Sequence, residues 1–223
     1  MRSPSCLMCA AVLTMMTAVG GIRLAANEDR LTDATIALEE IMAVPEKSIP
    51  QNLFNKASCV VIVPGMKKGA FIVGGKYGRG YLSCRKPGGG WSAPGAIIVE
   101  GGSVGFQIGG EESDLVMLVM NSRGMDHLLS TKFTLGGEAA AAAGPIGRQA
   151  AAQTDASMRA EMLAWSRTRG VFAGISLEGA TLREDRDENR HLYRHQLSNR
   201  TIVTGNTKPP KVAEELMTLL KKY

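Results

Sequence analysis

Basic residues sit beside glycines and apolar side chains in one stretch of this chain: Lys67-Lys68 precede Ala70-Phe71-Ile72, and Lys76 and Arg79 bracket Tyr77. Such a set can do two kinds of chemistry. It can cradle a phosphate in a glycine-rich loop. It can also rest on an anionic membrane surface, where each cation near the lipid adds on the order of 1 kcal/mol. The nucleotide loops fail on spacing. A Walker loop needs Gly-x4-Gly-Lys-Ser/Thr, whereas Gly75-Lys76 is followed by Tyr77 and position 70 is alanine. Gly75-x-x-Gly78-x-Gly80 misses the dinucleotide spacing, and Tyr81-Leu82 continues as a strand instead of opening a helix. Head-group contact by Lys67, Lys68, Lys76 and Arg79, with Phe71 and Tyr77 as apolar support, stands beside ordinary exposed turn lysines.

Catalysis finds no assembly. His191 and His195, four apart, would share a helix face as a metal pair does, but no carboxylate stands between them in the protease pattern and arginines crowd the segment. A solvated pair is the expectation. His127 has no nearby cysteine, and no Gly-x-Ser-x-Gly elbow occurs. Glu112 and Asp114 could act as acids, yet polar residues before a strand are routine. The chain is expected not to be an enzyme, with no metal and no cofactor.

The elements that must position these residues read as α+β. Leu31, Ala34, Leu38, Ile41 and Met42 recur at helical spacing between Asn27 and Val44, and Pro45 ends the run. Ser48 to Phe54 reads as a capped short helix with Pro50 near its first turn. Cys59 to Val63 reads as a buried strand stopped by Pro64-Gly65. Five strands follow, over Ala70–Val73, Gly80–Arg85, Ala96–Glu100, Val104–Ile108 and Leu115–Met120, with turns at Lys86–Gly90 and Gly109–Glu112. Spacing this close needs hairpins, hence an antiparallel sheet. Bends and bulges are the structural role of the glycines, 26 of 223 residues.

Met125 to Ser130 reads as a short helix. The Gly/Ala-rich stretch from Leu135 to Pro145 fits helix or strand. A strand pair is expected over Ala160–Arg167 and Phe172–Leu182, then the charge run Arg183 to Arg190 as a solvated turn and first helical turn. An amphipathic helix from Pro210 to Lys222 should bury Val212, Leu216, Leu219 and Leu220.

Residues 1–26 have the marks of a signal peptide: Arg2, an apolar Cys6–Val19 stretch too short to span comfortably, and small residues at Ala18, Gly20 and Leu24-Ala-Ala26. Residues 27–223 would then form one domain, exported to the periplasm or the outer membrane. Lipidation is disfavoured, since Met8 precedes Cys9 and Ser5-Cys6 lies too near the start. Losing Arg2 and Arg23 with the leader lowers the net charge from +5 to +3. That is too mild for nucleic acid, and aromatics at 5% do not make a stacking platform. Cys59 and Cys84 remain, readable as two buried small hydrophobes or as one disulfide.

Taken in order, several segments resemble the SYLF domain. They are Cys59-Val-Val-Ile-Val-Pro64, Lys68 to Gly80, Trp91-Ser-Ala-Pro94, Gly105-Phe-Gln-Ile-Gly109 with Asp114-Leu-Val116, Ala142 to Arg148, and Gly170 to Gly179. The likeness runs from about Arg30 to Gly205. It departs near the end: the family usually has an Asn followed by an aromatic-Tyr-Gly, and here Asn189 leads to Leu192-Tyr193-Arg194. The resemblance implies a phospholipid-binding module without catalytic residues. Eukaryotic relatives bind phosphoinositides and fungal ones also actin, while bacterial relatives are typically exported single-domain proteins. An actin role is not expected behind a leader of this kind.

The combined expectation is a strongly curved, mainly antiparallel, barrel-like sheet flanked by helices from both termini. Its function would be non-catalytic binding of anionic phospholipid at the cell envelope. The rivals are an envelope protein-binding scaffold and, third, a hydrolase.

Overall fold

Cys59 to Val63 shows no polar alternation because both faces of that strand are buried. This computed structural model describes residues 30–43, 48–136, 141–143, 160–168, 171–173, 177 and 179–223; of these, 70–73, 103–110, 141–143 and 171–173 are described as backbone only. The expected leader lies outside the described residues.

Helix α1 covers residues 30–42 and buries Leu31, Ala34, Leu38 and Ile41, the stripe its spacing dictates. Helix α2 (Gln51–Lys56) begins at Pro50, whose carbonyl accepts from Leu53 and Phe54. No side chain caps it, contrary to expectation, because proline occupies the cap position and has no acceptor to offer.

Strands β1 (Cys59–Cys84) and β2 (Gly95–Val119) form one long antiparallel hairpin where the sequence reading divides them into short strands. The supposed stops are irregularities within continuous strands. At Pro64-Gly65 the register passes from Val63 opposite Leu115 to Met66 opposite Ser113, so two residues face Asp114 alone. Gly65, at φ +53°, supplies the left-handed backbone of this bulge. Gly109 to Glu112 is likewise no turn: it pairs with residues 67–70, Lys68 against Glu111 and Lys67 against Glu112. The turn at Lys86–Gly90 does join the two strands, with Gly89 and Gly90 at positive φ.

The hairpin doubles back on itself. Cys59 and Cys84, the two ends of β1, have Cα atoms 3.9 Å apart and are joined as a disulfide. A Cβ at Gly80 would stand 2.0 Å from the Ile62 carbonyl oxygen, so glycine is what lets the two limbs of β1 touch.

Helix α3 (Ser122–Leu128) is capped by Asn121, whose side chain accepts from the Gly124 N–H. Strands β3 (Lys132–Thr134), β4 (Ala141–Ala143), β5 (Met162–Thr168), β6 (Val171–Ala173) and β7 (Thr181–Glu184) complete a seven-stranded sheet. Its order is β3-β7-β2-β5-β4, with β1 on β2 and β6 on β5. Only β4 with β5 is parallel among these pairs. Among the described residues no pairing joins the ends, so the sheet is curved but not closed as a barrel. The strand expected over Phe172–Leu182 is two, β6 and β7.

Helices α4 (Arg186–Tyr193) and α5 (Asn199–Thr204) follow, then a 3-10 turn (Lys211–Ala213) and α6 (Glu214–Leu220). Val212, expected on the buried face, is 40% exposed because the tight turn aims Ala213 inward instead. One core gathers α1, α2 and α6 on Val60, Ile62, Tyr81 and Trp165. The other packs Val61, Val63, Leu82 and Met117 against Phe133, Leu182 and Ile202. Each such aliphatic side chain contributes about 1.5–3 kcal/mol by burial. No helix among the described residues is long and apolar enough to cross a membrane.

Candidate functional site

Where α1 passes the doubled hairpin it leaves an open cleft of about 570 Å³. Three of the sequence-predicted residues reach it: Lys67, Tyr77 and Arg79. Lys76 does not. Strand alternation sends it to the other face from Tyr77, where it is 8% exposed. Burial, then the charge of Lys68, pulls its ammonium below the ordinary value. Lys68 is half-buried opposite Glu111 and does not line the cleft. The side chain of Phe71 lies outside the described residues.

Arg79 is not a free cation. Its Nε donates to Asp185 Oδ2 at 2.7 Å, and Nη2 lies 2.5 Å from the same oxygen and 3.6 Å from Glu188 Oε2. Burial alone would pull the guanidinium down; the bond and charge of Asp185, with Glu188, outweigh it and hold it above its ordinary value. Glu188 also accepts from Tyr81 Oη at 2.9 Å and faces Arg30 Nη1 at 3.4 Å. Burial, then the charge of Glu188, pushes the Tyr81 phenol up.

The charge run does supply the first helical turn expected of it, in α4, but it is an anchor and not solvated: Asp185, Glu188 and Asn189 are all buried. Asp185 caps α4 by accepting from the Glu188 N–H. Asn189 Oδ1 accepts from Ala96 N–H at 2.8 Å, and its Nδ2 donates to Asn199 Oδ1 at 2.8 Å. The legible signal was Asp185-x-x-Glu188, the spacing of a capping box.

Acids line the rest of the cleft. Asp114 accepts from the Gly65 N–H at 3.0 Å and from Arg167 Nη2 at 3.1 Å, and Arg167 pairs in turn with Glu40 of α1. Burial raises the Asp114 carboxyl, the Gly65 N–H opposes that rise, and Glu112 and Asp33 add to it. The Glu112 carboxylate lies over the bulge, where a Cβ on Gly65 would be 2.7 Å from its Oε1. Among the described residues no hydrogen bond or ion pair engages Asp33, Lys67 or Glu112. Asp33 and Arg30 lie on the polar side of α1, where nothing in the local spacing set them apart.

Large hydrophobics mark the cleft as well. Three are exposed among the described residues, and two of them, Ile36 at 45% and Tyr77 at 49%, border it. His191 and His195 do not share a helix face, since α4 ends at Tyr193. No group of three His, Cys, Asp or Glu among the described residues could hold a metal ion.

Fold and cleft define a helix-flanked, mainly antiparallel sheet domain that presents an open groove of mixed charge. The family model Ysc84, described as Las17-binding protein actin regulator, matches residues 100–223. The chain belongs to this Ysc84 (SYLF) family. It is 38% identical over 179 residues to an SH3 domain-containing protein of Schizosaccharomyces pombe, covering 78% of this chain and 41% of that protein. The human SH3 domain-containing YSC84-like protein 1 is 36% identical over 180 residues, with 80% and 52% covered. Protein YSC84 of Saccharomyces cerevisiae is 34% identical over 180 residues, with 79% and 38% covered. The chain thus spans about half the length of these curated relatives, or less.

Proposed function

We propose that this chain binds anionic phospholipid without catalysis, as an exported domain of the periplasm or the inner face of the outer membrane. One observation carries the reading. Two of the three large hydrophobics exposed among the described residues, Ile36 and Tyr77, border the cleft that holds Lys67. An apolar pair beside an exposed cation suits the boundary between head groups and acyl chains. The Cys59–Cys84 disulfide supports an oxidising compartment. The family description speaks of binding and regulation, which favours a non-catalytic role.

Flotation of the full chain tests this on phosphatidylcholine vesicles with and without phosphatidylglycerol. Comparing the two cancels any insertion by the apolar leader. Binding should rise with the anionic fraction, fall with salt, and weaken in Lys67→Gln. Equal recovery on both vesicle types at low salt, repeated when phosphatidylserine replaces phosphatidylglycerol, would end the lipid reading.

A protein-binding scaffold is the second reading. The Las17 binding named in the family's description favours it. So does an acidic groove of about 430 Å³ between α1 and α6, where Glu39, Glu214 and Glu215 outnumber Lys222. Saturable binding to an envelope protein without lipid would support it.

A further inference from the structure

The cleft is not built as a plain anion site. Glu112 is the direct cross-strand neighbour of Lys67, an arrangement that ordinarily yields an ion pair. Here no such pair forms, because the Glu112 carboxylate is turned over Gly65. Asp33 faces the same space from α1, and it too makes no hydrogen bond or ion pair among the described residues. One exposed cation and two exposed carboxylates therefore line one cavity without neutralising one another. Asp114 registers the crowding: after burial, Glu112 and Asp33 are what push its carboxyl up.

A head group bearing only phosphate would meet Lys67 and be repelled by Asp33 and Glu112. A head group bearing phosphate and a primary ammonium would satisfy both signs, and selectivity of this kind rests on the repulsion as much as on the attraction. We infer that the cleft selects an amine-bearing phospholipid, with Lys67 on the phosphate and Asp33 and Glu112 on the ammonium. This rests on the phospholipid reading above and gives that site its ligand class. Arg79 is not the phosphate contact, since Asp185 and Glu188 hold it.

The test uses the full chain and phosphatidylcholine vesicles carrying equal fractions of phosphatidylserine or phosphatidylglycerol. These two lipids have the same net charge, so surface potential is held constant. Phosphatidylserine should bind about threefold to tenfold more tightly, the scale of one or two solvent-exposed ion pairs. Asp33→Asn combined with Glu112→Gln should erase that preference while binding to phosphatidylglycerol holds or rises. All three side chains are exposed, so circular dichroism of the variants should match the parent. Equal, salt-sensitive binding to both lipids overturns the amine selectivity and leaves the phospholipid reading standing. A preference that survives the double substitution overturns the assignment to Asp33 and Glu112. Binding to neither lipid above phosphatidylcholine alone overturns both proposals together.

Discussion

Arg79 and Asp185 stand 106 residues apart in the chain and meet at 2.7 Å, tying the doubled limb of β1 to the cap of α4. The pair turns a residue that local spacing marks as a surface cation into part of the frame. Glu188 and Tyr81 extend it into a network, of which Arg79 itself reaches the wall of the cleft.

Arg79→Met should therefore destabilise the protein by about 2 kcal/mol, because it leaves the buried Asp185 without its cation and Glu188 with Arg30 alone. That figure sits below the range for fully buried pairs because the Arg79 side chain is 30% exposed. Lys67→Met should change stability by no more than about 0.5 kcal/mol. Urea unfolding of both variants checks the contrast. Equal midpoints would mean that the Arg79 network contributes nothing to the fold.

Helix α1 was legible because Leu31, Ala34, Leu38 and Ile41 repeat at a helical period, and that periodicity is local. The hairpin was not. Glycine and proline read as stops in a flat strand, whereas in a ribbon that folds on itself they mark a bulge at Gly65 and a contact at Gly80. Lys67 and Tyr77 were found at the cleft because exposure at a strand surface follows from residue type. The engagement of Arg79 was hidden because its partners come from a distant element. Lys76 was misplaced for a simpler reason: alternation assigns it and Tyr77 to opposite faces, and either assignment suited the sequence.

The Cys59–Cys84 disulfide closes a loop with a sequence separation of 25. Loop-closure entropy for that length is worth about 3 kcal/mol. Paired Cys59→Ser and Cys84→Ser substitutions should lower stability by about that amount, and the double variant should be indifferent to reductant. The parent should lose a comparable amount on adding dithiothreitol. A parent whose unfolding curve ignores the reductant would show that the bond is absent in solution.

Gly80 and Gly75 lie on the same strand but differ in what surrounds them. A Cβ at Gly80 would collide with backbone at 2.0 Å, while one at Gly75 meets nothing nearer than 3.9 Å. Gly80→Ala should cost more than about 3 kcal/mol or prevent folding, since backbone cannot step aside as a side chain can. Gly75→Ala should be tolerated. Soluble yield and far-UV circular dichroism separate them, and similar behaviour would mean that the limbs of β1 are not in contact.

Lys76 makes stability depend on alkaline pH. Burial and Lys68 lower its folded pKa from 10.5, so between the folded value and 10.5 the unfolded chain binds more protons than the native one. Stability should then rise as pH rises through that window. Lys76→Met removes the group and should flatten the rise. Tyr81 and Tyr193, whose phenols are pushed up by burial, pull the other way above pH 10, so the comparison belongs below it. Denaturant melts across mildly alkaline pH supply the slopes; parallel slopes in parent and variant would remove Lys76 as their source.

Arg194 ends α4 at φ 61°, the non-glycine residue with positive φ among the described residues. The family resemblance puts glycine at this position, where the left-handed backbone of a helix terminus favours it. An ordinary side chain there costs about 1–2 kcal/mol, and the greater freedom of glycine in the unfolded chain takes part of that back. Arg194→Gly should therefore stabilise by about 1 kcal/mol, raising Tm by about 2–4 °C for a chain of this size. Arg194→Ala separates backbone from charge: it keeps the Cβ that is strained at positive φ and removes the guanidinium, so it should leave Tm nearly unchanged. If alanine raised Tm as much as glycine, the gain would come from relieved repulsion with neighbouring arginines, and the strain argument at Arg194 would fall.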